Sequence, residues 1–173
     1  SFLIGYLTPE EYFSFIAGLR NINKADLNTF LDRFSTFFNE EILGKNKYIR
    51  DLSKGNQKKV GIAAAFIGAP ELVILDEPFA NLDPIYQRKC REWLEEHVAN
   101  GGTIFLCSHV LEMAERMCNR MAIINKGKVL AAGKVSDLKQ SVNETLEDVF
   151  IRLVGHSIEE AERIHDDLSQ EEE

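Results

Sequence analysis

Four consecutive apolar residues, Leu72-Val73-Ile74-Leu75, end abruptly in two carboxylates and a proline, Asp76-Glu77-Pro78. A continuous apolar run of this length is the pattern of a strand buried on both faces in a parallel sheet. Two adjacent carboxylates at its end are costly unless something pairs with them. In open α/β sheets, ligands bind beyond the carboxyl ends of the strands. The run therefore asks for helices on either side of a sheet and for a polar ligand at its end.

The flanking sequence supplies that context. Asp83-Pro84 opens a helix, with Asp as cap and Pro at the first position. Tyr86, Cys90, Trp93, Leu94 and His97 lie along one side of it, and Asn100-Gly101-Gly102 ends it. Thr103 to Cys107 is a second apolar strand, ending at Ser108-His109. Leu111, Ala114 and Met117 mark a further helix. Met121 to Ile124 and Lys128 to Ala131 flank Asn125-Lys126-Gly127 as a hairpin. Strands alternating with helices imply an α/β fold with a largely parallel sheet.

The first third reads as helical. Thr8-Pro9-Glu10-Glu11 combines a cap, a proline at the first position and a Glu three residues after the cap. Tyr12, Phe15, Ile16 and Leu19 then share one face, and Leu27, Phe30, Leu31, Phe34 and Phe38 repeat that spacing in a second helix. Both stripes read as core. Val60 to Gly68 reads as a buried helix stopped by Pro70. The C-terminal stretch reads as helical, with a second capping box at Ser157-Ile158-Glu159-Glu160.

The formal net charge of −8 is unevenly placed, because residues 157–173 carry eight carboxylates against Arg163 alone. The rest is nearly neutral and carries no basic stripe of the kind nucleic-acid binding needs. The acidic tail reads as a solvated helix end. No apolar run approaches the roughly 20 residues that cross a bilayer, and the N-terminus has no signal-peptide pattern. Three cysteines, Cys90, Cys107 and Cys118, lack metal-ligand spacing and read as reduced core thiols of a cytosolic protein.

Several residues carry possible chemistry. Hydrated Mg2+ on a nucleotide suits Asp76, because the ion takes few protein carboxylates and keeps several waters. Glu77 is then free to orient an attacking water and accept its proton. His109, at the end of the next strand, can hydrogen-bond a γ-phosphate or hold the water; His97, His156 and His165 have no such context. Ser53-Lys54-Gly55-Asn56 precedes a long apolar helix and has the ingredients of an anion site. An ordinary Ser-capped helix explains it about as well.

Together these segments resemble the ATP-binding-cassette (ABC) ATPase family. Leu52-Ser53-Lys54-Gly55-Asn56 is similar to the signature motif Leu-Ser-Gly-Gly-Gln. Leu72 to Pro78 looks like Walker B with its catalytic glutamate, Asn81-Leu82-Asp83 like the D-loop, and His109 like the switch histidine. Residues 144–154 are similar to the end of cassettes serving ABC-2 type exporters. The resemblance covers essentially the whole chain. It implies a P-loop NTPase-like core with an α-helical subdomain: residues 1–68 the subdomain ending in the signature helix, 69–142 the ATPase core, and 143–173 a C-terminal helical extension.

The resemblance also implies function. ATP and Mg2+ would be bound in a head-to-tail pair of cassettes that powers a separate membrane permease. Asp76 would hold Mg2+ through water, Glu77 would polarise the attacking water and His109 would stabilise the γ-phosphate. Ser53, Lys54, Gly55 and Asn56 would face the partner's nucleotide, with phosphate contact through Ser53 and Gly55. Asp83 would line the dimer interface. The partners would be a second cassette and an integral membrane permease, with no nucleic acid. The location would be cytoplasmic, at the inner face of the membrane. A non-transport cassette of DNA repair or translation, and a catalytically silent interaction module, are the rival readings.

The chain departs from the family at Lys54, Asn56 and Ala80, where the motifs usually carry Gly, Gln and Ser. It also lacks the pattern Gly-x-x-x-x-Gly-Lys-[Ser/Thr]. Gly133-Lys134 fails because Lys128 and Val135 occupy the other key positions, and Gly44-Lys45 fails because Asn39 and Asn46 do. The glutamine loop is missing too. The expectation is a fragment without the N-terminal third of the domain, inactive by itself.

Overall fold

The computed structural model describes residues 3–38 and 42–155. They form two compact units divided between Cys107 and Ser108.

The first unit opens with α1 (Pro9–Leu19). The Thr8 hydroxyl accepts from the Glu11 amide at 3.3 Å, and the Glu11 carboxylate accepts from the Thr8 amide at 2.8 Å. This is the expected reciprocal cap. The buried face, however, is Pro9, Tyr12, Phe13 and Ala17, while Phe15 and Leu19 are exposed. The expected stripe is thus rotated by one residue, because Phe13 finds an aromatic partner in Phe34 of α2 (Lys24–Phe38). Phe13 meets Phe34 edge-on at 5.5 Å, and Phe34 meets Trp93 at 5.7 Å. Phe66 stacks on Trp93 at 4.7 Å. Each such ring pair adds roughly 0.5–1.5 kcal/mol beyond area burial. The Arg33–Glu96 ion pair joins α2 to the helix that carries Trp93.

A short 3-10 turn (Ile49–Asp51) leads into α3 (Lys54–Phe66), whose Val60, Ile62, Ala63, Ala64 and Phe66 are buried. The chain then forms β1 (Leu72–Asp76), α4 (Pro84–Ala99) and β2 (Thr103–Cys107). β1 and β2 run parallel, with Leu72 opposite Thr103 and Asp76 opposite Cys107.

Burial on both faces of β1 is not what forms. Val73 and Leu75 are buried, but Leu72 is 53% and Ile74 66% exposed, and Phe105 of β2 is 59% exposed. The α3 and α4 helices supply contacts to these strands, and one strand face stays open. The thiols also divide. Cys90 is buried, Cys118 half-buried and Cys107 exposed, so Cys107 is not the core thiol expected. It falls on the open face because it lies two residues beyond Phe105.

The second unit holds α5 (Leu111–Met117), β3 (Arg120–Asn125), β4 (Lys128–Lys134), α6 (Val135–Leu138) and a helix α7 over residues 146–155. β3 and β4 form the expected hairpin, antiparallel and separate from the β1–β2 sheet. Its two turn residues, Lys126 and Gly127, have φ of 48° and 76°. Positive φ at both centres is the twist-matched hairpin turn, which glycine permits. Parallel pairing is therefore confined to β1 and β2 among the described residues. Ile123, Leu146 and Val149 form the core of this unit, with Leu111, Met121, Leu138 and Leu153 against them. The second capping box and the acidic tail lie outside the described residues.

No described helix is long and apolar enough to cross a membrane.

Candidate functional site

The loop that follows β1 is shaped by backbone bonds before any side chain acts. The Glu77 amide donates to the Cys107 carbonyl at 2.9 Å, extending the β1–β2 ladder by one rung. Glu77 itself sits at φ 47°, and Asn81 at φ 63°. The left-handed region costs a side-chain-bearing residue roughly 1–2 kcal/mol, with Asn the more tolerant of the two. Such strain persists only where surroundings hold it. Here Pro78 and Phe79 between the two strained positions, and Leu82 just after them, are buried as anchors. Ala80 donates to the Glu77 carbonyl at 3.2 Å and Leu82 to Phe79 at 3.3 Å. Gln87 of α4 donates to the carbonyls of Phe79 and Leu82 at 3.3 and 2.9 Å.

The two carboxylates of interest leave this frame differently. Asp76 is exposed, on the face that also carries Leu72 and Ile74. Glu77 is half-buried. Asp83 is the N-cap of α4, one carboxylate oxygen accepting from the amides of Ile85 and Tyr86 at 3.0 and 3.1 Å. Its cap role is the local one its sequence predicts.

The turn before α3 reaches the same loop. The Ser53 hydroxyl accepts from the Asn56 amide at 3.2 Å and caps the helix, as an ordinary Ser-capped helix would. Ser53 and Lys54 are exposed, Gly55 and Asn56 half-buried. Gln57 donates to the carbonyls of Arg50 and Leu52 at 3.2 and 3.0 Å, fixing the turn from behind. A Cβ on Gly55 would stand 2.9 Å from the carbonyl oxygen of Asn81. Glycine is therefore required there by the neighbouring backbone. Lys58 donates to the carbonyl of Asp76 at 3.2 Å. The ingredients of an anion site and the carboxylate pair thus lie in one unit, with Gly55 against the Asn81 carbonyl and Lys58 bonded to the Asp76 carbonyl.

His109 belongs to the second unit, two residues past β2. It is exposed, and the neighbouring Val110 amide donates to the Ser108 hydroxyl at 3.1 Å. His97 plays a packing part. Its ring meets Phe66 edge-on at 5.0 Å, and its Nε2 is buried without a hydrogen-bond partner among the described residues.

Lys58 and Gln57 were not among the residues singled out by sequence, and Asn81 entered only as part of the D-loop resemblance. The first two had a signal: a helix that reads as buried yet carries Gln57-Lys58-Lys59 must find partners for those groups. Lys59, 3% exposed, sets its ammonium 2.9 Å from the centre of the Tyr86 ring. The D-loop resemblance marked Asn81 but gave no sign that its carbonyl would stand against Gly55.

The chain is similar to known proteins. Residues 8–112 match the family model described as "AAA domain, putative AbiEii toxin, Type IV TA system". The chain is 34% identical over 152 residues to the ABC transporter ATP-binding protein YhaQ of Bacillus subtilis, covering 80% of this chain and 49% of that protein. It is 36% identical over 147 residues to the ABC transporter ATP-binding protein MJ1023 of Methanocaldococcus jannaschii, covering 78% and 55%. Over 96 residues it is 42% identical to the Nod factor export ATP-binding protein I of Cupriavidus pinatubonensis, covering 56% and 30%. A solved ATP-binding subunit of an ABC transporter superposes with a TM-score of 0.80 at 31% identity, over 88% of this chain and 64% of that one. The chain spans about half the length of the curated relatives it matches.

Proposed function

The chain belongs to the AAA-domain family that residues 8–112 match and is related to ABC transporter ATP-binding proteins, and from that premise we propose that it supplies the carboxylate and signature faces of an ATP-hydrolysing cassette. The cassette works as a head-to-tail pair and drives a separate membrane permease, of the exporter kind, from the cytoplasmic face. Two features support this reading. The Asp76-Glu77 pair stands at the carboxyl end of a parallel strand, and the Ser53–Asn56 turn is in backbone contact with the loop that follows it.

Each residue has a part in that reading. Glu77 orients the attacking water and takes its proton, a role that needs a carboxylate held in place and reachable. His109 donates a hydrogen bond to the γ-phosphate. The hydroxyl of Ser53 and the amides at the start of α3, with Lys54, Gly55 and Asn56, contact the phosphates of the nucleotide held by the second cassette. Asp83 acts through its cap, holding the loop that lines the pair's interface. The donor set suits Mg2+. Among the described residues no group of three or more His, Cys, Asp or Glu cages a metal, and a nucleotide-bound Mg2+ needs only one or two carboxylates. Asp76 would hold it through water, and the ion would neutralise phosphate charge.

The test is Glu77→Gln in the chain extended to the length of its relatives. We expect kcat for ATP to fall by at least about 10²-fold, the usual cost of losing a general base. Turnover at the parental rate would remove Glu77 from the mechanism.

One observation favours a second reading for the 173 residues taken alone, a catalytically silent interaction module. The open face of Leu72, Ile74 and Phe105 is an apolar patch of the kind that marks association. Light scattering across a concentration series decides it: growth in mass supports the module, and a dilute monomer at all concentrations counts against it.

A further inference from the structure

One peptide unit in this site is held from both sides, and the residue that holds it on one side has no part in the roles above. The carbonyl of Asp76 and the amide of Glu77 belong to the same planar peptide. Its N–H donates to the Cys107 carbonyl at 2.9 Å, and its oxygen accepts from Lys58 at 3.2 Å. Fixing that plane fixes ψ of Asp76 and φ of Glu77. The latter is the dihedral that stands at 47°, in the region an L-residue leaves when nothing holds it. Farther along the loop, the carbonyl of Asn81, the other residue in that region, lies where only glycine at position 55 leaves room. The start of α3 therefore touches the loop at both strained positions, through Lys58 at one and Gly55 at the other.

We propose that Lys58 is a positioning residue: its ammonium clamps the Asp76–Glu77 peptide and thereby aims the Glu77 carboxylate. The inference rests on the reading of Glu77 as the group that orients water. It adds a consequence to that reading. In a head-to-tail pair, the turn at Ser53–Asn56 serves one nucleotide and Glu77 the other. The clamp makes these two groups of one chain a single mechanical piece, so phosphate contact at one nucleotide bears on carboxylate geometry at the other. Lys58 reaches the carbonyl with its ammonium from a half-exposed position, so removing the charge and keeping the stem leaves the core intact. Near the same ammonium lies Cys90, whose buried thiol it also influences.

The experiment compares Lys58→Met, Lys58→Arg and Glu77→Gln in the chain extended to the length of its relatives. Two readouts are taken: ATP turnover, and amide hydrogen exchange at Glu77. For Lys58→Met we expect kcat to fall about tenfold with KM for ATP within about twofold, as misplacement of a catalytic group does. The Glu77 amide should exchange about tenfold faster once its plane is free on one side. Lys58→Arg, which can still donate to the carbonyl, should restore most of both. Unchanged Glu77 exchange in Lys58→Met overturns the clamp. Faster exchange with unchanged kcat overturns the positioning role. A matching loss in Lys58→Arg and Lys58→Met, or a rise in KM that accounts for the lost activity, also overturns it. Wild-type turnover by Glu77→Gln sinks the catalytic reading and the positioning role with it, and the exchange data then judge the clamp by themselves.

Discussion

Asp83 shows how much one side chain can settle locally. Its carboxylate accepts from two amides at the head of α4, and Pro84 after it has no N–H that needs an acceptor. We expect Asp83→Ala to lower stability by about 1 kcal/mol, the usual cost of a lost N-cap, measured by urea denaturation with an unchanged slope. Caps such as Thr8, Ser53 and Asp83 were legible in sequence because their partners lie within three residues. Lys58 was not, because its carbonyl partner is 18 residues away and no side-chain pattern marks a backbone acceptor. The cysteines make the same point about placement. Burial pushes the Cys90 thiol up to about 12, with Lys58 opposing, and burial also raises Cys118. The thiolate is the nucleophile, so a maleimide at neutral pH should label exposed Cys107 first and leave Cys90 unmodified until the chain unfolds. Mass spectrometry of a time course checks the order.

At the level of elements, helix termini and strand positions were readable and face assignments less so. α4 buries Tyr86, Cys90, Trp93 and Leu94, the side its spacing predicts. α1 instead buries Phe13 and Ala17 and leaves Leu19 in solvent. Two overlapping apolar stripes coexist in that helix, and the choice between them is made by the rings of α2. For β1, four apolar residues cannot report by themselves how many faces are covered. The second unit offers a test of element-level electrostatics. The Glu115 carboxyl is held below the usual carboxylate range, first by a hydrogen bond from Lys139 and next by the amide of Leu146. These contacts tie α5 to the segment after α6 and to the head of α7. A carboxylate held low contributes stability above its ordinary value near pH 4, and that contribution disappears as pH falls through the lower folded value. Leu146 amide protection should therefore weaken below about pH 4, and Glu115→Gln should flatten that dependence. An equal acid response in Glu115→Gln would place the effect elsewhere.

For the molecule as a whole, the family was legible from four short motifs in order, and relatives at 34–36% identity bear it out. What those motifs could not convey is that one strand face stays open, since nothing in a local pattern reports on distant neighbours. The 173 residues carry no Gly-x-x-x-x-Gly-Lys-[Ser/Thr] pattern, the loop whose amides and lysine cradle a triphosphate. We expect calorimetric titration of this chain with Mg-ATP to give no tight binding, weaker than about 1 mM, where binding free energy falls to about −4 kcal/mol. Extension to the length of its relatives should bring binding into the micromolar range. Tight binding by the 173 residues would require a different phosphate site.

The alternation along β1 carries a last consequence, for mutation rather than for chemistry. Leu72, Ile74 and Asp76 point one way and Val73 and Leu75 the other. Side chains alternate with a period of two, so the strand acts as a parity counter that decides on which side Asp76 emerges. Losing one codon between Leu72 and Leu75 would turn the aspartate to the side of Val73 and Leu75 and put Glu77 in its place. Losing two would shorten the strand and leave the aspartate facing as before. In this stretch, the spacing from Glu71 to Asp76 is constrained to change by even numbers, a rule that no single-residue substitution could reveal.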